Sequence, residues 1–583
     1  MSTMNDARAV DDPDTAGDLK TAGHPGAAAD NGPNAGGDTG ANCDPAVGAA
    51  AVADADPGAP DVADAGAAAV ERKMRAAGQD EEAVQSFLAA RARLLHGAPA
   101  LIFSDELDGV EDVPELGELP EELERSALEQ VAIIKLNGGL ATTMGLRQPK
   151  SLLQAREGKS FLELIVGQVR ALRARHRITL PLVWMNSEAT REPTLRALGE
   201  LGELAGDATK SGVPVDFLQS MVPKLDAATL APVSWPADPA LEWCPPGHGD
   251  VYGALRRSGM LATLLERGYR YAMISNADNL GAALDERIVS HIHARRIPFL
   301  MEVVKGTEAD RKGGHIARRA ADGRLVLRET AQVPPGEEGS FRDFRRWRFY
   351  NTNTIWIDLR ALDELLAQRH GVLALPLIVN RKTVDPRDPS STPVVQLESA
   401  MGAAIESFPG AALLLVPRGR FIPVKTTDDL LVLRSDVYRL TEHLQLQRVT
   451  DPPYVELDPR YYRLVEAFEA RFPAGPPSLR QASRLVVRGD VTFGAGVVVR
   501  GAVELEAPKP LKLPDGTVLD GTAPGGTIPP GSTVPGGRAP GAVPDGRAPG
   551  ATVSGGAVPD GRAPGGTAAL ERTAADGSTA AGG

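Results

Sequence analysis

Apolar residues first form a regular pattern at 81–95. There Val84, Phe87, Leu88, Ala92 and Leu95 recur three to four residues apart and predict a helix with one apolar face, packed on the main body of the protein. Beyond residue 130 the pattern changes. Unbroken apolar runs at 131–136, 181–185, 271–274, 298–304, 348–357 and 411–416 predict strands buried on both faces. Helical stretches lie between several of them, and one announces its own start: Ser160 and Glu163 form a capping-box pattern ahead of Leu164, Ile165 and Val169. Strands alternating with helices imply an α/β domain around a largely parallel sheet with helices on both faces. Ligands of such sheets sit outside the carboxyl ends of the strands, and the polar signatures of this chain fall just past its apolar runs.

A second pattern follows. Tyr461, Leu464, Phe468 and Phe472 predict one more helix. Then Leu485, Val491, Val497 and Val503 recur every six residues, and Val487, Phe493, Val499 and Leu505 share the period, with Gly489 and Gly501 placed for corners. Such a period predicts a short parallel β-helix of about one triangular turn. Further on, GAVPDGRAPG stands at 541–550 and again at 556–565, the composition of a flexible low-complexity tail.

Composition divides the 583 residues further. Residues 1–70 contain no Phe, Tyr, Trp or Ile, and set twelve Asp against Arg8 and Lys20, about −10 of the whole chain's −13. That stretch cannot bury enough apolar surface to offset chain entropy and reads as a disordered acidic tail. The expected organisation is therefore the tail at 1–70, a helical segment at 71–124, a catalytic domain at 125–440, the helix and β-helix at 441–506, and a Pro/Gly-rich tail at 507–583. The centre is close to neutral, with no basic face for nucleic acid. No apolar stretch is long enough to cross a membrane, and the N-terminus lacks a signal-peptide pattern, so a soluble cytoplasmic protein is expected. Cys43 and Cys244 are the only cysteines, too few for a disulfide framework or a thiolate metal site.

The most specific chemistry lies in IIKLNGGLATTMGLRQPKS at 133–151. A buried strand runs into Asn137-Gly138-Gly139, where successive backbone N–H groups can converge on a phosphate or a base edge. Lys150 can bring positive charge to the same phosphates. The stretch is neither a P-loop nor a dinucleotide fingerprint, because GK[ST] and G-x-G-x-x-G are both absent.

This stretch resembles the loop of the eukaryotic-type UTP–glucose-1-phosphate uridylyltransferases, which reads much like LNGGLGTSMG followed by PKS. The resemblance continues in order through MNSEAT at 185–190, FLQS at 217–220, WCPPGHGDVY at 243–252, SNADNLGA at 275–282, NTNTIW at 351–356, VVQLESAMGAAI at 394–405 and RFIPVKTTDDLL at 420–431. It implies a nucleotidyltransferase-type, Rossmann-like domain that forms UDP-glucose and pyrophosphate from UTP and glucose 1-phosphate. It also implies roles. Leu136, Asn137, Gly138 and Gly139 would hold the uridine nucleotide, with Gln219 and Gly247 reading the base. Lys150 and Lys425 would contact the triphosphate and act in catalysis, and Asp278 would bind Mg²⁺ with nucleotide oxygens. His248, Asn276, Ala277 and Asn353 would touch the sugar phosphate.

From residue type alone, each has a plainer reading: Asp278 as a turn cap beside Asn276 and Asn279, His248 as a loop residue, Lys425 paired with the acids that follow it. Ala141, Thr143, Ala277, Cys244 and Glu188 depart from the family pattern, which leaves galactose or N-acetylglucosamine 1-phosphate as alternative substrates. A non-catalytic UDP-sugar binder assembled through its β-helix is the reading from another class, and homo-oligomers through that β-helix are an expectation in either.

Overall fold

Alternate residues of one buried strand face two different cores. In β1 (Val131–Asn137), Val131 and Ile133 point into one apolar cluster, and Ala132, Ile134 and Leu136 into another. The same alternation holds in β4 (Tyr271–Asn276), where Tyr271 and Met273 join the first cluster, Ala272 and Ile274 the second. A strand covered on both faces needs no polar side, so its sequence reads as an unbroken apolar run.

The computed structural model describes residues 61–97, 101–140, 144–146, 148–205, 209–311, 313–521 and 527–528. Most of the acidic stretch, loop positions Ala141 and Thr143, and both copies of GAVPDGRAPG lie outside them.

β1, β2 (Leu182–Asn186), β3 (Asp216–Leu218) and β4 form the parallel run β4-β1-β2-β3 within a ten-stranded sheet. Beside β4 the direction reverses: β6 (Phe349–Asp358) pairs antiparallel with both β4 and β5 (Phe299–Lys305), and β7 (Ala412–Leu415) continues parallel to β5. One face is covered by α3 (Phe161–His176) and α7 (Glu286–Arg295), through Phe161, Ile165, Ile288 and Ile292. The other is covered by α5 (Val251–Arg257), α6 (Met260–Glu266) and α8 (Leu359–Gln368). The capping box of α3 forms as its sequence implies: Glu163 N donates to Ser160 Oγ, and Ser160 N to the Glu163 carboxylate.

Three expectations need correction. The helical part begins earlier than residue 71: α1 (Asp61–Ala76) buries Val70 and Met74 with Phe87 of α2 (Glu81–Leu95). The Ala-rich start of α1 lacks large apolar residues and so resembles the tail that precedes it. The helix expected over 461–472 is two pieces, α10 (Pro459–Tyr462) and α11 (Val465–Arg471). Leu464 between them is extended (ψ 135°) and lies over Gly145 instead of joining the helical face.

The β-helix does not end at residue 506. Parallel strands β8 (Ser478–Thr492), β9 (Val498–Lys512) and β10 (Val518–Asp520) stack rung on rung. Leu485 lies opposite Val503 and Val487 opposite Leu505, the stacking that the six-residue period implies. The last rung was hidden because its apolar positions are spaced by Pro and Gly. Among the described residues, no helix is long and apolar enough to cross a membrane.

Candidate functional site

The carboxyl ends of the four parallel strands stop level with one another. Asn276 pairs with Leu136, Asn137 with Asn186, and Asn186 with Leu218, so the chain leaves all four strands along a single edge. There a cavity of about 240 Å³ opens, lined by Leu136, Asn137, Gly138, Gly139, Lys150, Met185, Gln219, Pro245, Gly247, His248, Asn276, Ala277 and Asp278. Segments far apart in the chain thus meet because the parallel sheet aligns their strand ends.

The two glycines of the turn have different surroundings. A Cβ on Gly138 would stand 2.5 Å from the Gln219 amide, so Gly138 lets Gln219 close over the turn. A Cβ on Gly139 would meet nothing within 4 Å. Asn137 is 3% exposed, and its amide donates to Asn186 Oδ1 and Thr194 Oγ1, both at 2.9 Å. Its side chain thus braces the turn from behind, and its backbone faces the cavity. Ser187 Oγ adds a hydrogen bond to the Gly138 carbonyl.

Gly247 adopts φ +83°, and a Cβ there would lie 2.5 Å from the Ser399 carbonyl, so strain and space both require glycine. The next residue, His248, accepts a hydrogen bond at Nδ1 from the backbone N–H of Met401 (3.1 Å). Burial pushes its imidazole down to about 4, with the nearby Asp278 charge opposing and Lys425 adding to the shift. At neutral pH His248 is therefore uncharged and carries its proton on Nε2.

Beside the glycine turn, where Lys150 N donates to the Gly139 carbonyl, Lys150 Nζ meets Asp278 Oδ2 at 2.7 Å. Asp278 Oδ1 is buried without a hydrogen-bond partner. An unpartnered carboxylate oxygen beside a phosphate-sized cavity suits Mg²⁺, which commonly takes one or two carboxylates and completes its shell with phosphate oxygens and water. Among the described residues no larger cluster of His, Cys, Asp or Glu is gathered, so Asp278 is the residue that would hold the ion.

The turn bearing Asp278 is laced to the segment that ends in Lys425. Asn279 Oδ1 accepts from Ile422 N at 2.9 Å, its amide donates to the Arg420 carbonyl, and Val424 N donates to the Asp278 carbonyl. Lys425 itself is exposed and does not line the cavity. The acids that follow it cap α9 (Thr427–Arg434): Asp429 accepts from the backbone N–H of Lys425 and Thr426. Among the described residues the Lys425 ammonium forms no ion pair with them.

Asn353 also lies outside the cavity wall. It occupies the irregular part of β6, with φ +54°, and its Oδ1 accepts from the amide of Asn351. Of the departures from the family pattern, Ala277 lines the cavity, Glu188 is exposed at the start of α4 (Glu188–Glu200), and Cys244 is buried with Val222 and Leu225 under α2.

Sequence reasoning missed several charged groups. Glu329 lies near enough to Lys425 to feel its charge, and burial pushes its carboxyl up to about 7. Lys135 is buried in β1, and Arg420 forms a buried ion pair with Glu302 (2.6 Å). A charged residue inside an apolar strand run, as in VAIIKLN, was the available signal for Lys135.

Residues 100–500 match the family model described as UTP–glucose-1-phosphate uridylyltransferase. The chain is 38% identical to the UTP–glucose-1-phosphate uridylyltransferase of Encephalitozoon cuniculi, over 70% of this chain and 80% of that protein. It is also 38% identical to the Solanum tuberosum enzyme, over 69% and 83%. Among solved structures, a UDP-glucose phosphorylase from Trypanosoma brucei superposes with a TM-score of 0.74 at 42% identity, covering 78% of this chain and 98% of that one. A UDP-glucose pyrophosphorylase variant from Leishmania major, in complex with UDP-glucose, gives 0.73 at 40% over the same shares. The strand-end cavity thus sits in a chain that belongs to the UTP–glucose-1-phosphate uridylyltransferase family.

Proposed function

We propose that this protein transfers the uridylyl group of UTP to glucose 1-phosphate, in a Mg²⁺-dependent reaction at the strand-end cavity. The observation that carries this reading is the Lys150–Asp278 pair, lining one cavity together with the Gly138-Gly139 turn and His248.

In this reading the backbone of Leu136, Asn137, Gly138 and Gly139 cradles the nucleotide, while the Gln219 amide and the backbone of Gly247 read the uracil edge. His248 offers a neutral Nε2–H donor to the sugar phosphate, Asn276 and Ala277 face the sugar from the cavity wall, and Asn353 would have to reach it from outside that wall. A phosphate oxygen of the sugar 1-phosphate forms a bond to the α-phosphorus of UTP, and the bond from that phosphorus to the β-phosphate bridging oxygen breaks. The chain's task is positioning and charge neutralisation. Lys150 reaches the phosphates from within the cavity, and Lys425 approaches from its rim on the segment stapled to the Asp278 turn. Asp278 would hold Mg²⁺, which would supply Lewis-acid charge stabilisation there.

The same reading treats 125–440 as the catalytic domain in a cytoplasmic protein, and the β-helix, with Leu511 and Val518 exposed on it, as a surface for homo-oligomers. Light scattering of the purified chain reads out that assembly. The reaction is tested by measuring pyrophosphate release with UTP, Mg²⁺ and a panel of glucose, galactose and N-acetylglucosamine 1-phosphates. Release with glucose 1-phosphate alone is expected. Preference for another sugar would move the substrate assignment onto Ala277, the departure that lines the cavity.

A further inference from the structure

Beneath the turn that carries Asp278 lies a lysine of the 133–151 stretch to which sequence reasoning assigned no role. Lys135 sits in β1 between Ile134 and Leu136 and is 2% exposed. Its Nζ donates to Ser275 Oγ at 2.7 Å and to the Ala282 carbonyl at 2.8 Å. Both partners are uncharged, and among the described residues Lys135 forms no ion pair. Burial pushes the Lys135 amine down to about 7, with Arg420 adding to the shift and the Glu302 and Asp278 charges opposing it, so near neutral pH it is divided between ammonium and amine. In either form its burial is unfavourable beside that of an apolar side chain of similar length. Stability alone therefore does not call for lysine at this point of an otherwise apolar strand.

The positions of its two acceptors are informative. Ser275 lies in the last part of β4, directly before Asn276, and Ala282 directly follows Gly281. The Lys135 Nζ thus ties together the two ends of the turn in which Asp278 stands. Next to it, Arg420 Nη2 donates to the Ala283 carbonyl at 2.8 Å and to Glu302 at 2.6 Å. The turn is held inside by Lys135 and outside by the segment running to Lys425. Asp278 has one carboxylate oxygen on Lys150 and the other without a partner, so the turn backbone, more than its own hydrogen bonds, sets its direction.

We propose that Lys135 is a positioning residue for uridylyl transfer: by closing the 276–281 turn through Ser275 and Ala282, it fixes where the Asp278 carboxylate meets the nucleotide phosphates. This rests on the function proposed above. It accounts for a buried lysine that lies outside the cavity wall. It also gives the segment that ends in the exposed Lys425 a fixed point of reference, since that segment is hydrogen-bonded to the same turn.

The test compares wild type, Lys135→Met and Ser275→Ala in steady-state kinetics, Mg²⁺ titration and thermal melting. Methionine keeps the length of the side chain and removes its donors. Ser275→Ala removes one tie of two and decides the question by the same readouts if Lys135→Met does not fold. Misplacing a reacting group by about 1 Å can cost on the order of 10²-fold in rate. In folded Lys135→Met kcat is expected to fall by about that factor, and in Ser275→Ala by about tenfold. KM for UTP should stay within about threefold, because the glycine turn is untouched, and the Mg²⁺ concentration for half-maximal rate should rise. Unchanged kcat and Mg²⁺ dependence, with only a lower melting temperature, would overturn the proposal while leaving the wild-type reaction intact. Wild type inactive with UTP and every sugar 1-phosphate would instead overturn the underlying function, and this inference with it.

Discussion

Lys150 Nζ and Asp278 Oδ2, 128 residues apart in sequence, lie 2.7 Å from each other at the cavity wall. Their side chains are 21% and 18% exposed, so water screens the pair only in part. The pairing stores a cation and an anion side by side, facing a space where phosphates and Mg²⁺ would divide them. Lys150→Met is expected to lower kcat/KM for UTP by about 10²-fold, the usual cost of removing a preorganised charge from a phosphoryl-transfer site. Kinetics at saturating glucose 1-phosphate would check this, and an unchanged kcat/KM would remove Lys150 from the site.

The two glycines should behave differently. Gly138→Ala collides with the Gln219 amide even without ligand, so it should weaken UTP binding by displacing Gln219. Gly139→Val meets no protein atom at Cβ and should leave the melting temperature nearly unchanged while abolishing nucleotide binding. Calorimetric titration with UTP separates the cases. Normal affinity in Gly139→Val would contradict the backbone cradle.

Lys425→Ala removes an ammonium that has no ion-pair partner among the described residues, so folding should be unaffected. Its backbone N–H, which caps α9 through Asp429, is retained. Turnover is expected to drop by about 10²- to 10³-fold, with UTP affinity within a few-fold of wild type. Wild-type turnover in this variant would exclude the rim lysine from the reaction.

Acid sensitivity should have an identifiable source away from the cavity. His315 is fully buried, stacks on Trp347 at 4.7 Å, and has no hydrogen-bond partner at either ring nitrogen. Burial, with Arg328 and Arg346 nearby, pushes its imidazole down to about 3. An unfolded histidine titrates near 6.5, so the unfolded chain binds the extra proton first. The stability from burying the neutral ring is complete above about pH 6.5 and is lost as pH falls toward about 3. His315→Phe keeps the stack and removes the proton. Between pH 6 and 5 its unfolding free energy should fall less steeply than wild type, by roughly 1.4 kcal/mol per pH unit. Identical slopes in denaturant titrations would show that His315 is not the source.

The sheet was legible because strands covered on both faces are written as apolar runs, and Val131–Asn137 and Tyr271–Asn276 are such strands. The cavity was legible for a different reason. Its lining residues lie at strand ends, so a family resemblance spread over separate motifs could be checked against one rule about parallel sheets. Residue type was a poorer guide to individual contacts. Nothing in the letters said that the Asn137 amide would turn away to Asn186 and Thr194, or that Cys244, so near Gly247 in sequence, would pack under α2. Lys425 and Asn353 carry family motifs yet stand outside the cavity wall, because motif order fixes topology and not the reach of a side chain. Lys135, Glu302 and Arg420 were missed because their partners come from distant parts of the chain, and long-range polar contacts leave no local periodicity.

The most direct measurement is the yield of UDP-glucose and pyrophosphate from UTP, glucose 1-phosphate and Mg²⁺, by wild type and by Asp278→Asn, with UTP binding measured in parallel. The expected result is equimolar products from wild type, and at least about 10²-fold slower formation by a folded Asp278→Asn that still binds UTP. Wild-type product formation by Asp278→Asn would contradict the assignment of the reaction to the Lys150–Asp278 cavity.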